Sequence, residues 1–190
     1  TRVAGDTEES VYEALALEWT PPELREARGE VEAARTRALP HLIDRADLRG
    51  DLHMHTTETD GKDDVAAMAQ AARGAGLEYI AITDHSQSLA MANGLDERRA
   101  LLHAARIRAE DGRHGVRVLA GIECDIKPDG TLDLADDCLA ALDFVVASAH
   151  SAFNQEPQQM TDRLLKAIGN KHVSVIGHPT GRLLLRRDAY

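Results

Sequence analysis

The sequence has few cysteines and lacks a long apolar run, and both absences narrow the class of protein. Only Cys124 and Cys138 occur in 190 residues, too few for a disulfide framework. We expect both to be buried free thiols, as in a protein of the reducing cytoplasm. No stretch approaches the ~20 apolar residues that a membrane helix needs. The sequence therefore predicts a soluble cytoplasmic protein without a membrane partner.

A signal peptide and an excess of basic residues are also lacking. Residues 1–6 have neither a basic end nor an apolar run, and the absence of an initiator Met suggests a piece of a longer protein. The formal charge is −10, from 22 basic and 32 acidic residues. Because a surface that coats nucleic acid is basic, this balance argues against unassisted DNA binding. Bound divalent cations would offset part of the negative charge.

Residues 1–46 differ in pattern from residues 47–190. Glu8–Trp19 has apolar residues at helical spacing, and the prolines at 21 and 22 would end that helix. Glu23–Ala38 is rich in Glu, Arg and Ala, which fits either a solvated helix or an extended linker. The sequence therefore predicts a short, mainly helical segment before the main domain.

From Leu48 onward, apolar runs of strand length each end in a residue that can bind a metal ion. The runs are Leu48–His55, Leu77–His85, Val116–Glu123, Asp143–His150 and His172–His178. Helical segments separate them: Asp64–Arg73, Asp96–Glu110, Asp136–Ala141 and Gln158–Ile168. This alternation is typical of parallel βαβ units. In parallel α/β barrels the carboxyl ends of the strands meet at one mouth, so we expect these run ends to lie together.

The first run offers a pair of imidazoles. His53 and His55 are two residues apart, so on a strand they share a face and can bind one ion. Asp51 lies on the same face, either accepting a ring N–H or buried as a structural residue. Asp60 follows in a polar turn; Asp before Gly is common turn chemistry, but the loop leaves this strand, so we expect Asp60 to be a ligand.

The later runs supply His85, Glu123, His150 and His178. Glu123 directly follows an apolar run, where a carboxylate is costly to bury unless it is paired or bound to a cation. A glutamate can also bridge two ions. We assign structural roles to the remaining histidines, His41, His103, His114 and His172.

Histidine and carboxylate ligands without cysteine suit Zn²⁺, Mn²⁺ or Fe²⁺. Clustered divalent ions lower the pKa of a bound water and stabilise charge on the attacking and leaving oxygens. Hydrolysis of a phosphate ester needs both effects. The sequence has no Ser-His-Asp order, P-loop or Gly-rich dinucleotide motif to compete for the role. It therefore predicts a metal-dependent phosphoesterase.

Six motifs, in order, resemble the PHP (polymerase and histidinol phosphatase) family: DLHMHT, TDG, AITDHS, GIECDI, SAH and GHPTGRLL. The segments GHPTGRLLLRR, DIKPDGTLD and PPELREARGEVEAA resemble one branch, the C-terminal domain of bacterial X-family DNA polymerases. The resemblance implies an α/β fold, a distorted βα barrel of roughly seven units with three metals in its mouth. Residues 1–46 would be the end of the polymerase module and its linker, and residues 47–190 the PHP domain.

The resemblance also distributes the ligands over up to three divalent ions, Mn²⁺ or Zn²⁺. The assignment is His53 and His55 for the first ion, Glu123 shared by the first and second, His150 and His178 for the second, and Asp60 and His85 for the third. Arg182 is either a phosphate-binding residue or an ordinary surface arginine. The family's late Asp-x-His pair is absent before Tyr190. We therefore expect a barrel truncated at its C-terminal end, with the first and third ions each short of one ligand.

The function that the resemblance implies is a Mn²⁺-dependent 3′–5′ exonuclease that trims 3′ ends during DNA repair. DNA, as a 3′ end or gap, would be bound through the full-length polymerase. Two alternatives remain: a small-molecule phosphatase similar to histidinol phosphatase, and a PHP domain that has only a structural role.

Overall fold

A computed structural model describes residues 3–183, 185–186 and 189 of the chain. The chain divides into two compact units, Thr1–Asp47 and Leu48–Tyr190. The assignment of residues 1–46 to a polymerase module and linker stays a prediction. Part of the GHPTGRLLLRR motif, Leu184 and Arg187, lies outside the described residues, as do Asp188 and Tyr190.

The first unit contains two short α-helices, α1 (Glu8–Ala14) and α2 (Glu30–Thr36), and two 3-10 helices, Pro22–Leu24 and Arg45–Asp47, within its described part. Helix α1 ends earlier than the predicted Glu8–Trp19, because Ala16 takes a left-handed φ of 56° and the chain turns back. The indole of Trp19 then donates a hydrogen bond to Glu8 at the start of the helix. For Glu23–Ala38 neither alternative holds throughout, since only α2 is α-helical there.

The second unit alternates strands and helices. Its strands are β1 (Gly50–Met54), β2 (Tyr79–Ile82), β3 (Arg117–Asp125), β4 (Phe144–Ser148) and β5 (Val175–Ile176). The intervening helices are α3 (Val65–Gly74), α4 (Glu97–Glu110), α5 (Asp136–Ala140) and α6 (Pro157–Ile168), with a 3-10 helix at Ala90–Ala92. In the described residues the strands form one parallel sheet in the order β1-β2-β3-β4-β5. The predicted α/β fold is confirmed to this extent, as a curled parallel sheet of five strands.

Helix starts follow the sequence signals for capping. The carboxylate of Asp64 accepts a hydrogen bond from the Ala67 N–H at the start of α3, and Asp96 does the same for Arg99 in α4. Helix α6 begins with a proline at its first position, where the missing N–H costs nothing. Among the described residues, no helix is both long and apolar enough to cross a membrane.

The core lies on the face of the sheet that the helices cover, because the buried β3 residues of the two clusters, Val118, Ala120, Ile122 and Cys124, alternate along the strand and share one face. One buried cluster joins β2 and β3 to the helices before and after β2, and includes Ile80, Ile82 and Ile107. The other surrounds the second half of β3 and includes Ile122, Leu139 and Val145. Together they pack β3 against its neighbouring strands and helices along most of its length.

Both thiols are free and buried, which confirms the expectation. Cys124 lies within β3, where its thiol donates a hydrogen bond to Asp133 Oδ1 at 3.0 Å. Burial, followed by the nearby Asp133 charge, raises the pKa of the Cys124 thiol far above its usual value. Cys138 lies in α5.

At Gly121 the backbone of β3 lies very close to both neighbouring strands. A Cβ there would lie 2.8 Å from the carbonyl oxygen of Phe144 and 3.0 Å from that of Ile82. Both contacts are with backbone, so a side chain could be accommodated only if the strands moved apart. Glu123 follows two residues later in the same strand, so its position depends on the close distance between the strands at Gly121.

We expect Gly121→Ala to lower the free energy of unfolding by roughly 1–3 kcal/mol, because overpacking forces the strands apart. Urea denaturation of the variant and the parent chain measures the change. Gly74→Ala is the matched control, since nothing lies within 4 Å of its added Cβ. Equal unfolding midpoints for the two variants would contradict the tight packing at Gly121.

Candidate metal centre

The carboxyl ends of the parallel strands carry the candidate ligands to one side of the sheet. His53 is in β1 and His55 follows it directly; His85 comes three residues after β2; Glu123 lies near the end of β3; His150 and His178 come two residues after β4 and β5. The structure brings all of these side chains, and Asp60, into one cluster. Their binding of metal stays a prediction.

Glu123 is at the centre of the cluster and is only 2% exposed. One of its carboxylate oxygens, Oε2, faces three imidazoles. The distances are 3.2 Å to His53 Nε2, 3.4 Å to His55 Nε2 and 3.1 Å to His85 Nδ1. These nitrogens come from the ends of β1 and β2, so one oxygen of Glu123 serves one side of the cluster.

The other oxygen, Glu123 Oε1, faces the opposite side. It lies 3.2 Å from His150 Nε2 and 3.1 Å from His178 Nε2. The two rings are 5.1 Å apart between centroids. The carboxylate therefore presents each of its oxygens to a different group of histidines.

Asp60 approaches the cluster from the loop after β1. Its carboxylate oxygens lie 3.5 Å from His85 Nε2 and 3.8 Å from His55 Nδ1. The His55 and His85 rings are stacked, with centroids 4.3 Å apart. Both nitrogens of His85 thus face acidic oxygens, Nδ1 toward Glu123 and Nε2 toward Asp60.

The donor geometry fits divalent cations. The buried Nδ1 atoms of His55 and His85 have no hydrogen-bond partner among the described residues, although His85 Nδ1 is close to Glu123. Ligand atoms around a tetrahedral ion with bonds of 2.0–2.1 Å are about 3.3 Å apart, close to the spacings around Glu123. Three overlapping groups have donor atoms within 4.8 Å of one another: His53, His55 and Glu123; His55, Asp60 and His85; His85, Glu123 and His150.

The electrostatics of the cluster also suit cations. Burial alone would raise the pKa of Glu123, but hydrogen bonds from His150, His178 and His53 outweigh burial and hold that pKa well below its usual range. The hydrogen bond to Glu123 raises the pKa of His53, whereas burial lowers the pKa of His85. Glu123 is therefore ionised at neutral pH.

Asp125 is a part of the site that the sequence reasoning missed. Its Oδ1 lies 2.5 Å from His150 Nδ1, and its backbone N–H donates to Ser86 Oγ. This contact turns the other ring nitrogen of His150 toward Glu123, as carboxylates do for metal-binding histidines. The sequence signal that could have identified Asp125 is its position two residues after Glu123, which places it on the same face of β3. The predicted strand ends at Glu123, whereas β3 continues to Asp125.

Two further predictions concern the roles of Asp51 and Arg182. Asp51 is exposed, and its Oδ1 accepts the backbone N–H of His53 at 3.1 Å, so both proposed roles, ring acceptor and buried structural residue, are wrong. The Asp51 side chain bonds to the backbone two residues later, in a stretch where the pairing of β1 with β2 is irregular between Asp51 and Met54. Arg182 is exposed, four residues after His178, and its phosphate-binding role stays a prediction.

The four histidines given structural roles lie apart from the cluster's contacts. His103 is buried and its Nε2 lies 2.7 Å from Asp84 Oδ2. His114 pairs with Glu110, and the backbone of His172 bonds to Asn170. His41 is exposed.

Known proteins resemble this chain along most of its length. The family model of the PHP domain matches residues 51–186. The DNA polymerase/3′-5′ exonuclease PolX of Bacillus subtilis (strain 168) is 46% identical over 185 residues, 97% of this chain and 32% of that protein. A probable phosphatase of Acetivibrio thermocellus is 32% identical over 134 residues, and one of Thermoanaerobacter sp. (strain X514) is 30% identical over 135 residues. Each alignment with these two covers 68% of this chain and 53% of the phosphatase. The chain thus spans about a third of the first relative and about half of the other two.

The contact between Asp125 and His150 can be tested by titration of the metal-free chain. Burial would lower the pKa of His150, but the Asp125 and Glu123 carboxylates raise it to about 9. We expect Asp125→Asn to lower that pKa toward 6.5, because the imidazolium loses a neighbouring negative charge. NMR titration of the imidazole protons in the presence of a chelator measures the shift. Asp129→Asn, in an exposed turn of the same segment, should leave the His150 pKa unchanged; an equal value in Asp125→Asn would contradict the contact.

Proposed function

Because the chain belongs to the PHP domain family, we propose that it is the divalent-metal-dependent 3′–5′ exonuclease domain of an X-family DNA polymerase that acts in DNA repair. The observation that carries this proposal is the buried Glu123 carboxylate, whose two oxygens face different groups of histidines. The relation to the Bacillus subtilis polymerase/exonuclease over 97% of this chain supports the choice of substrate.

In this proposal the ligands are divided among up to three ions, Mn²⁺ or Zn²⁺. His53, His55 and Glu123 would hold the first ion, Glu123, His150 and His178 the second, and Asp60 and His85 the third. The ions supply, when bound, a water of lowered pKa and positive charge beside the phosphate oxygens.

The solvent exposure of some ligand side chains allows the end of a nucleic acid to reach the site. Glu123 is buried, whereas the side chains of His178 and Asp60 are 45% and 51% exposed. The edge of the cluster is therefore open to solvent, whereas the Glu123 carboxylate is shielded from it. A phosphate group can approach the cluster from solvent while Glu123 stays buried. Asp125 fixes the His150 ring, and Arg182 would bind a phosphate oxygen from the loop after His178.

The domain would reach DNA through the rest of the polymerase. The chain has a net charge of −10, which disfavours independent binding to a polyanion. We propose that the polymerase module delivers the 3′ end or gap, and that the whole protein is cytoplasmic. We also propose that the five-stranded sheet is part of the seven-unit barrel that the family resemblance implies.

A second candidate function is hydrolysis of a small phosphate ester. Two relatives of 32% and 30% identity are described as probable phosphatases, and the same donor cluster would serve that reaction. A purely structural role is less well supported, because the described residues include all seven proposed donors in one cluster.

We expect Glu123→Gln and His150→Ala to reduce Mn²⁺-dependent release of mononucleotides from a DNA 3′ end by about 100-fold or more. The reason is that loss of a direct ligand should exceed the 10–100-fold effect of losing an outer partner. The assay uses the full-length protein and compares DNA with histidinol phosphate. His114→Ala, which removes only a contact with Glu110, is the control.

Unchanged release of mononucleotides by both ligand variants would refute the exonuclease proposal. Release of phosphate from histidinol phosphate, without cleavage of DNA, would favour the second candidate function instead.

A further inference from the structure

A second buried carboxylate, Asp84, lies beside the cluster and has a different set of partners. It is 0% exposed, and each of its oxygens accepts two hydrogen bonds. Oδ1 accepts from the backbone N–H of Thr56 at 2.8 Å and from the Thr59 hydroxyl at 2.5 Å. Oδ2 accepts from the Thr56 hydroxyl and from His103 Nε2, each at 2.7 Å.

These contacts leave Asp84 without capacity to bind an ion itself. A carboxylate has about four acceptor sites on its two oxygens, and all of them are used by protein donors. Asp84 directly precedes His85 in the chain. Asp84 therefore lies next to the cluster and accepts hydrogen bonds from the backbone and side-chain groups around it.

The segment anchored to Asp84 is the tight turn that carries Asp60. The N–H groups of Thr59 and Gly61 both donate to the carbonyl oxygen of Thr56, at 3.1 and 2.9 Å. A Cβ on Gly61 would lie 2.3 Å from the carbonyl oxygen of His55, so the turn closes directly onto the residue that follows β1. The position of Asp60 is therefore set by its neighbours on either side.

Asp60 itself makes only weak contacts with the cluster. Its side chain is 51% exposed, and its oxygens come no closer than 3.5 Å to His85 and 3.8 Å to His55. A half-exposed carboxylate at such distances is not held by its own interactions. The bonds from Thr56 and Thr59 to Asp84 are the buried contacts that fix its turn.

We infer that Asp84, with Thr59 and His103, positions Asp60 against His85 and so builds the third ion site from outside the ligand set. His103, which lies in α4, donates a hydrogen bond from Nε2 to Asp84 Oδ2 and so fixes the carboxylate. Asp84 in turn holds the hydroxyl of Thr59, the residue before Asp60. This inference rests on the proposed function, because it assigns the anchored turn to one of the proposed ions.

The hydroxyl of Thr59 can be removed without changing the shape of the side chain. Thr59→Val loses the bond to Asp84, whereas Thr59→Ser keeps it. Thr57→Val is the matched control, because Thr57 is exposed in the same turn and its backbone N–H donates to the carbonyl oxygen of Asp63. The two valine variants make the same chemical change two residues apart.

The measurement is Mn²⁺ binding to the full-length protein by titration calorimetry, with the number of ions per chain from elemental analysis. We expect Thr59→Val to weaken one class of site by about 10–100-fold, the usual cost of losing an outer partner of a ligand. The remaining ions should bind as in the parent protein. Thr59→Ser and Thr57→Val should match the parent, and the urea unfolding midpoint of each variant is measured in parallel.

The inference is overturned if Thr59→Val binds every ion with parental affinity, or if Thr59→Ser is as impaired as Thr59→Val. It is also overturned if Thr59→Val weakens all ions equally while lowering the unfolding midpoint, since that result indicates a general structural role. A parent protein that binds no Mn²⁺ at all would instead refute the proposed function, so the two failures are distinct.

Discussion

The structure of the second unit depends on one buried charge, the carboxylate of Glu123 in the middle of a parallel sheet. Removing an ionised group from water costs several kcal/mol even after relaxation, unless opposite charge or hydrogen bonds compensate. Here the compensation comes from imidazoles that arrive from the ends of other strands on both sides of β3. The buried carboxylate therefore depends on the sheet, because the imidazoles that compensate its charge reach it only where the strand ends meet.

Parallel strands joined by helices are suited to this arrangement, since every strand ends at the same edge. His53 and His178 are separated by most of the second unit in sequence, yet both contact the same carboxylate. Around this cluster lie residues that bind no ion in our proposal but fix those that do. Asp125 orients His150, and Asp84 anchors the turn of Asp60. In our proposal the site therefore uses two sets of carboxylates: Glu123 and Asp60 would face the ions, whereas Asp125 and Asp84 contact the residues around them.

Much of this arrangement could be predicted from the sequence, because the apolar runs and the His or Glu residues at their ends are local signals. The order of strands and helices and the convergence of His85, Glu123 and His150 followed from them. What failed depended on partners distant in sequence or on local backbone geometry. The length of β3, and hence the role of Asp125, is set by pairing with β4. The early end of α1 reflects a left-handed residue at Ala16 that propensity alone does not reveal.

The most direct test of the account is anomalous diffraction from crystals of the full-length protein grown with Mn²⁺. The account predicts two ions flanking the Glu123 carboxylate, one near Oε2 with His53 and His55 and the other near Oε1 with His150 and His178. Anomalous peaks confined to other parts of the protein, with Glu123 contacted by protein groups alone, would contradict it.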